Sequence, residues 1–180
     1  AFRVEGAGGI LHTQVSIPDP HLWWPNGHGD PCLYELQVLM EAGGARQSRR
    51  VTFGLRTIEM APLPEGPRED RHNWTFVVNG KPLFVKGVNW CTTDALLRCP
   101  RERTERFLTL AKEQHVQLLR AWGGGIPESD DFYDLCDRLG LMVMQEWPTC
   151  WDSDKQQPRE ELLETIRWNI PRLRSHPSLI

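Results

Sequence analysis

The stretch Val116-Gln-Leu-Leu-Arg-Ala-Trp-Gly-Gly-Gly-Ile-Pro-Glu-Ser-Asp-Asp-Phe-Tyr-Asp-Leu-Cys-Asp-Arg-Leu-Gly-Leu-Met-Val-Met-Gln-Glu-Trp147 decides the fold. It opens with a short apolar run, Val116 to Trp122, that three glycines bring to an end. Ser129 to Leu139 then reads as a helix. Ser129 sits at the N-cap, Asp130 and Asp131 place negative charge where the helix dipole favours it, and Gly140 supplies the left-handed stop. Leu141 to Trp147 is a second apolar run of strand length. Strand, helix and strand joined by short connections form the repeating unit of a parallel α/β sheet.

The same alternation extends in both directions. Upstream, Gly87-Val-Asn-Trp90 leads to Pro100–His115, where Phe107, Leu108, Leu110 and Ala111 lie among charged residues in an amphipathic helix with Pro at its start. Downstream, a helix is expected from about Pro158 to Leu173, with Leu162, Leu163, Ile166 and Ile170 repeating along it. Three such units do not close a barrel, which needs eight and about 250 residues. The sheet is therefore either open or part of a barrel that continues beyond Ile180. Each strand ends in polar or aromatic groups: Asn89-Trp90, Arg120-Ala-Trp122 and Glu146-Trp147. In barrels and open α/β sheets alike, the carboxyl ends of the strands carry the ligand site.

Before this region the patterning changes. Thr75 to Lys86 holds Asn79-Gly80 between two β-rich runs, a strong hairpin signal, and its second arm is expected to run on through Trp90. Residues 62–72, rich in Pro, Gly and charge, read as a linker. Residues 1–61 read as strands without a helix: Ile10–Ile17, Tyr34–Met40 and an extended run from Ser48 to Met60, with a turn at Gly43-Gly44. So few strands make only part of an antiparallel sandwich. The organisation expected is a partial sandwich at 1–61, the linker at 62–72, and an α/β domain at 73–180.

Composition narrows the function. The 180 residues are 39% hydrophobic and 25% charged, within the ordinary globular range, but eight Trp stand against two Tyr and six Phe. Indole rings fill cores or stack on flat ligands. A net charge of -3 gives no positive field for a nucleic acid, and no apolar stretch approaches membrane-spanning length. The five cysteines contain no CxxC pair and are expected to be buried or idle. The glycine run lacks the lysine of a phosphate loop, so it is read as a sharp turn or a close approach to substrate. His176 has no Cys or carboxylate at metal-ligand spacing, and a structural or solvent-facing role is expected. No cofactor or metal is indicated. The missing initiator Met and the end at Ser178-Leu179-Ile180 read as an internal segment of a longer chain.

Leu22-Trp-Trp-Pro-Asn-Gly-His-Gly-Asp-Pro-Cys-Leu-Tyr34, Gly54-Leu-Arg-Thr-Ile58, Val78 to Trp90, Leu118-Leu-Arg-Ala-Trp-Gly-Gly-Gly-Ile126 and Phe132-Tyr-Asp-Leu-Cys-Asp-Arg-Leu-Gly-Leu141 together resemble glycoside hydrolase family 2. The Trp-Trp-Pro loop and the Arg-Ala-Trp-Gly-Gly-Gly run look most like its β-mannosidase and exo-β-glucosaminidase members. The resemblance covers nearly the whole chain, in order. It implies the tail of an immunoglobulin-like β-sandwich followed by the first three βα units of a TIM (β/α)8 barrel, from an enzyme that hydrolyses terminal β-linked sugars with retention. The family's acid/base glutamate follows an Asn after the fourth strand. No Asn-Glu pair occurs here, so both catalytic glutamates are expected beyond residue 180 and the segment alone is expected to be inactive.

The resemblance also implies roles at the strand ends. Arg120 matches an arginine that bonds the nucleophile carboxylate, against the alternative of an Arg paired with any neighbouring acid. Trp90 and Trp122 match pocket tryptophans, against the alternative of plain core rings. Asp94 matches an acid that bonds sugar hydroxyls, against a helix N-cap. Glu146 matches an auxiliary acid closing the third strand, with catalytic and purely structural roles as the alternatives. These strand ends should cluster on one face, within about 15 Å, in a parallel sheet whose strands lie about 5 Å apart. Trp23, Trp24, Trp74, Trp151 and Trp168 are assigned to packing, and the open edge of the third strand is expected to be exposed. The rival class is a non-catalytic carbohydrate-binding or interaction module.

Overall fold

A computed structural model describes residues 13–63, 65, 67, 69, 73–149 and 158–180. Tyr34–Ala42 (β1) and Ala45–Phe53 (β2) form an antiparallel hairpin, paired from Tyr34 opposite Phe53 to Ala42 opposite Ala45. The two-residue turn between them puts both Gly43 (φ 54°) and Gly44 (φ 81°) in the left-handed region, where only glycine sits without steric cost. A second antiparallel sheet joins Ile58–Pro62 (β3), Trp74–Val78 (β4) and Lys81–Leu83 (β5), with Asn79 (φ 50°) and Gly80 (φ 75°) making the β4–β5 turn.

The third sheet is parallel. Gly87–Trp90 (β6), Leu118–Ala121 (β7) and Met142–Gln145 (β8) lie side by side in that order, with Asn89 opposite Arg120 and Arg120 opposite Met144. Arg101–Glu113 (α1) and Asp130–Leu139 (α2) form the crossovers, and Arg159–Leu173 (α3) follows β8. Ser129 holds the extended N-cap position of α2 without a side-chain cap bond, and Gly140 closes the helix at φ 75°.

Side chains alternate across this sheet as strand geometry requires. Leu119 and Val143 face the helices, where they pack with Trp90, Leu108, Phe132, Tyr133 and Leu173. Leu118 and Met142 face the other way, onto Trp23, Val78 and Leu83. Trp23 is fully buried and its indole donates to the carbonyl of Asp137 at 2.7 Å, so the Trp-Trp-Pro loop packs directly on α2. Asn26 secures the same loop from below by donating to the carbonyls of Lys112 and Val116, at 2.9 and 3.0 Å.

Five expectations need correction. Residues 13–17 are not a strand among the described residues; they are mostly exposed and lack a pairing partner, and residues 10–12 lie outside the described set. The run from Ser48 to Met60 divides at Gly54, because Gly54 packs so closely on Trp23 and Pro177 that a Cβ would fall 2.8 Å from the Pro177 ring. Its second half, β3, pairs with β4 across the 62–72 segment. The arm that starts at Lys81 stops at Leu83, and β6 belongs to the parallel sheet instead.

The edge of the third strand is also met. The Val143 amide donates to the Ser178 carbonyl at 2.8 Å and the Ile180 amide to the Val143 carbonyl at 3.0 Å, so residues 178–180 cover that edge with an isolated parallel bridge at Leu179. Trp168 is the fifth correction: it is 75% exposed rather than packed. Leu162, Ile166, Asn169 and Leu173 make the inner stripe of α3, and Trp168 lies two residues, about 200°, round the helix from Ile166. Trp74 is partly exposed and packs edge-on against Phe76, while Trp151 lies outside the described residues.

Candidate active-site face

The carboxyl ends of β6, β7 and β8 converge on Arg120. Its Nε and Nη2 both approach Oε1 of Glu146, at 2.8 and 2.6 Å, while Nη1 donates to Oδ1 of Asn89 at 3.1 Å. The second oxygen of Glu146 accepts the Gly123 amide at 2.9 Å. One carboxylate thus orients the arginine and fixes the first residue of the glycine turn. Neither oxygen of Glu146 is left without a donor.

Trp122 continues from β7, and its amide donates to the carbonyl of Trp90 at 3.0 Å. The glycines make close approaches within the protein itself. A Cβ on Gly123 would fall 2.5 Å from the carbonyl oxygen of Trp147, and one on Gly124 would fall 2.1 Å from the Trp122 ring. No side chain fits at either place. Arg120, Trp122, Gly123, Gln145, Glu146, Trp147 and Thr149 line an open cleft of about 380 Å³.

Trp90, Arg120, Trp122 and Glu146 all lie at the carboxyl ends of the strands, with Arg120 bonded to Glu146 and the Trp122 amide to the Trp90 carbonyl, but the Trp90 ring turns to the helix-facing side of the sheet with Leu119 and Phe132. Trp90 lies deeper than the others: it is 9% exposed, its ring tilts against Phe132 at 5.1 Å, and its indole donates to Oε1 of Glu128 at 3.1 Å. Asp94 lies in the loop after β6. It is not a helix cap, since α1 starts at Arg101. Its Oδ1 accepts the Leu96 amide at 2.8 Å, and Arg98 and Arg103 reach its Oδ2 at 3.3 and 3.4 Å. The backbone amide, then the Arg98 side chain, hold its carboxyl below the usual carboxylate range.

His176 has a carboxylate partner after all, 39 residues away in sequence. Its Nδ1 lies 2.6 Å from Oδ2 of Asp137, whose Oδ1 accepts the Ser178 amide at 3.0 Å. Asp134, Asp137 and His176 bring three potential metal-ligand atoms within 4.8 Å of one another, but both oxygens of Asp137 already hold donors. The imidazole serves as a structural partner. Among the described cysteines, Cys136 is buried and its thiol is pushed up by burial, Cys32 and Cys99 are half-buried, and Cys91 is exposed; none forms a disulfide, and Cys150 lies outside the described residues.

Sequence reasoning passed over Glu128, Thr92 and Asn89 as partners in this site. Glu128 and Thr92 carry no local signal, because they meet only when the loops after β6 and β7 fold together. Asn89 was legible as a polar group at a strand end, though its bond to Arg120 depends on the register of β6 against β7.

Two family models match: glycosyl hydrolases family 2 over residues 3–56, and the TIM barrel domain of the same family over residues 71–180. The chain belongs to glycosyl hydrolase family 2. It carries the family's sandwich-domain segment followed by the start of its barrel. Beta-mannosidase B of Emericella nidulans is 36% identical over 96% of this chain, and the beta-mannosidase of Capra hircus is 38% identical over 88% of it. The crystal structure of the beta-D-mannosidase from Dictyoglomus thermophilum superposes on 92% of the chain with a TM-score of 0.76 and 36% identity. The chain spans about a fifth of these relatives: 21%, 18% and 21% of their respective lengths. No helix among the described residues is long and apolar enough to cross a membrane.

Proposed function

We propose that these residues form part of a retaining β-glycosidase of β-mannosidase type, acting on terminal β-linked sugars. The observation that carries the reading is the 36% identity to beta-mannosidase B over 96% of the chain. The strand-end arrangement fits it. Arg120, oriented by Glu146 and Asn89, presents a fixed guanidinium at the mouth of the barrel, beside the indole of Trp122. An indole face stacks on the apolar face of a pyranose, and a guanidinium fork suits a carboxylate. Asp94 and Trp90 complete the proposed sugar-binding set.

The catalytic pair lies outside this segment on the same reading. Retention requires two carboxyl groups about 5 to 5.5 Å apart, one attacking the anomeric carbon and one serving as acid and then base. Glu146 and Asp94 are engaged by arginines and backbone amides, and no Asn-Glu pair occurs in the sequence. The boundaries proposed are the sandwich tail at 1–61, the linker at 62–72 and the barrel start at 73–180. The missing carboxylates belong to the remainder of a parent chain, on which the activity depends.

The test is hydrolysis of aryl β-D-mannoside, β-D-glucosaminide, β-D-galactoside and β-D-glucuronide by the full-length parent. Preference for the mannoside supports the reading. Sugar binding without turnover of any of the four favours the rival carbohydrate-binding module.

A further inference from the structure

Trp90 is held in an unusual way for a residue proposed to shape a sugar pocket. Its ring is nearly buried, so its one N–H donor needs a partner inside the protein. That partner is the Glu128 carboxylate, whose Oε1 accepts from Trp90 Nε1 at 3.1 Å and from the Thr92 hydroxyl at 3.3 Å. The Glu128 main chain is itself anchored, since its carbonyl accepts from Arg172 of α3 at 2.9 Å, and Arg172 also bonds Asp130 at 2.6 Å and Asn169. At the other end of the glycine loop, the Trp122 amide is bonded to the Trp90 carbonyl. The loop from Trp122 to Glu128 is thus tied at both ends to the same tryptophan, once through its main chain and once through its indole edge.

We infer that Glu128 is a positioning residue: by accepting the indole N–H of Trp90 and the hydroxyl of Thr92, it sets the orientation of Trp90 and the seat of the Gly123–Pro127 loop against the sugar site. The role inferred is positioning, because the contacts of its Oε1 are to Trp90 and Thr92 and Glu128 does not line the cleft beside Arg120. Burial pushes its carboxyl above the usual range despite those two hydrogen bonds. Glutamine at this position keeps an oxygen in the same place and accepts both bonds, whereas leucine leaves a buried indole N–H without a partner.

The inference rests on the proposed sugar-binding role of Trp90, and the experiment separates the two. KM, kcat and the unfolding midpoint are measured on the full-length parent with an aryl β-D-mannoside, for the wild type, Trp90→Phe, Glu128→Gln and Glu128→Leu. Trp90→Phe tests the pocket: an unchanged KM there overturns the sugar-site reading itself. With KM raised in Trp90→Phe, Glu128→Leu is expected to raise KM about tenfold with a smaller change in kcat, the loss expected when a buried donor is orphaned. Glu128→Gln is expected to stay within about twofold of wild type, as rescue by an equivalent acceptor requires. A wild-type KM in Glu128→Leu, or a Glu128→Gln enzyme as impaired as the leucine variant, overturns the positioning role. If Glu128→Leu does not fold, Glu128→Asp carries the test. It keeps the charge but withdraws the oxygen by one methylene, so its KM should exceed that of Glu128→Gln, and an equal KM contradicts the inference.

Discussion

His176 Nδ1 and Asp137 Oδ2 lie 2.6 Å apart, and through this contact α2 grips the segment that bridges to β8 at Leu179. The Asp137 carboxylate also holds the Ser178 amide, while Arg56 donates to the carbonyl of Pro177 at 3.0 Å and bonds that of Leu179. Burial alone would lower the imidazole pKa. The hydrogen bond and charge of Asp137, with Asp134 and Asp130, outweigh it and raise the value above 6.5.

The sign of the pH effect follows from that shift. A cationic group whose pKa is higher in the folded state stabilises fully below its unfolded value and loses that contribution as pH rises through the folded value. Unfolding midpoints between pH 5.5 and 8.5 should therefore decline more steeply above about pH 6.5 for wild type than for His176→Gln. Parallel curves would remove His176 from the account.

Gly123 is expected to tolerate no side chain. A methyl group there meets the Trp147 carbonyl at 2.5 Å, and the shift needed to relieve it breaks the Gly123 bond to Glu146. Gly123→Ala should destabilise the protein by about 1–3 kcal/mol through overpacking. Gly125→Ala, whose Cβ meets nothing nearer than Thr92 Oγ1 at 3.2 Å, should cost less. Equal costs in denaturant titrations would contradict this reading of the turn.

Trp23 joins the Trp-Trp-Pro loop to α2 and to the far face of the parallel sheet. Trp23→Ala removes a fully buried ring and is expected to cost about 3–5 kcal/mol. Trp23→Phe retains most of the volume but leaves the Asp137 carbonyl without its donor. It should cost about 1–3 kcal/mol. Chemical denaturation with linear extrapolation measures both, and a ring lost at no cost would show that the loop does not pack as described.

Arg120→Lys separates function from stability. The lysine cannot reach Glu146 and Asn89 together, because it lacks the planar fork. The pair is partly exposed, so the stability change should stay within about 1 kcal/mol. In the parent enzyme, kcat/KM should nevertheless fall by roughly tenfold or more, since a misplaced charge at the reacting face costs far more than a surface ion pair. A rate loss that merely tracks unfolding would argue against an oriented arginine.

Local signals carried much of this architecture. Asn79-Gly80, Gly43-Gly44 and Gly140 each adopt the left-handed conformation that their turns demand, and the βα alternation lies where the period changes. Arg120, Trp122 and Glu146 were legible because strand ends converge whatever their partners. Long-range partners were not legible. Trp23 finds Asp137 across 114 residues and His176 finds it across 39, and neither separation leaves a pattern in the chain. Trp168 misled for a related reason: indole hydrophobicity argues for burial, but the helical angle set by Leu162, Ile166 and Leu173 turns it outward. The pairing of β3 with β4 was hidden by a linker-like composition that is equally suited to a long hairpin connection.

The most direct test of the central claim compares the full-length parent with residues 1–180 alone, on an aryl β-D-mannoside under the same conditions. The account predicts turnover by the parent with retention at the anomeric carbon and none by the 180-residue segment. Turnover by the segment itself would contradict it, because a carboxylate pair would then have to lie within these residues.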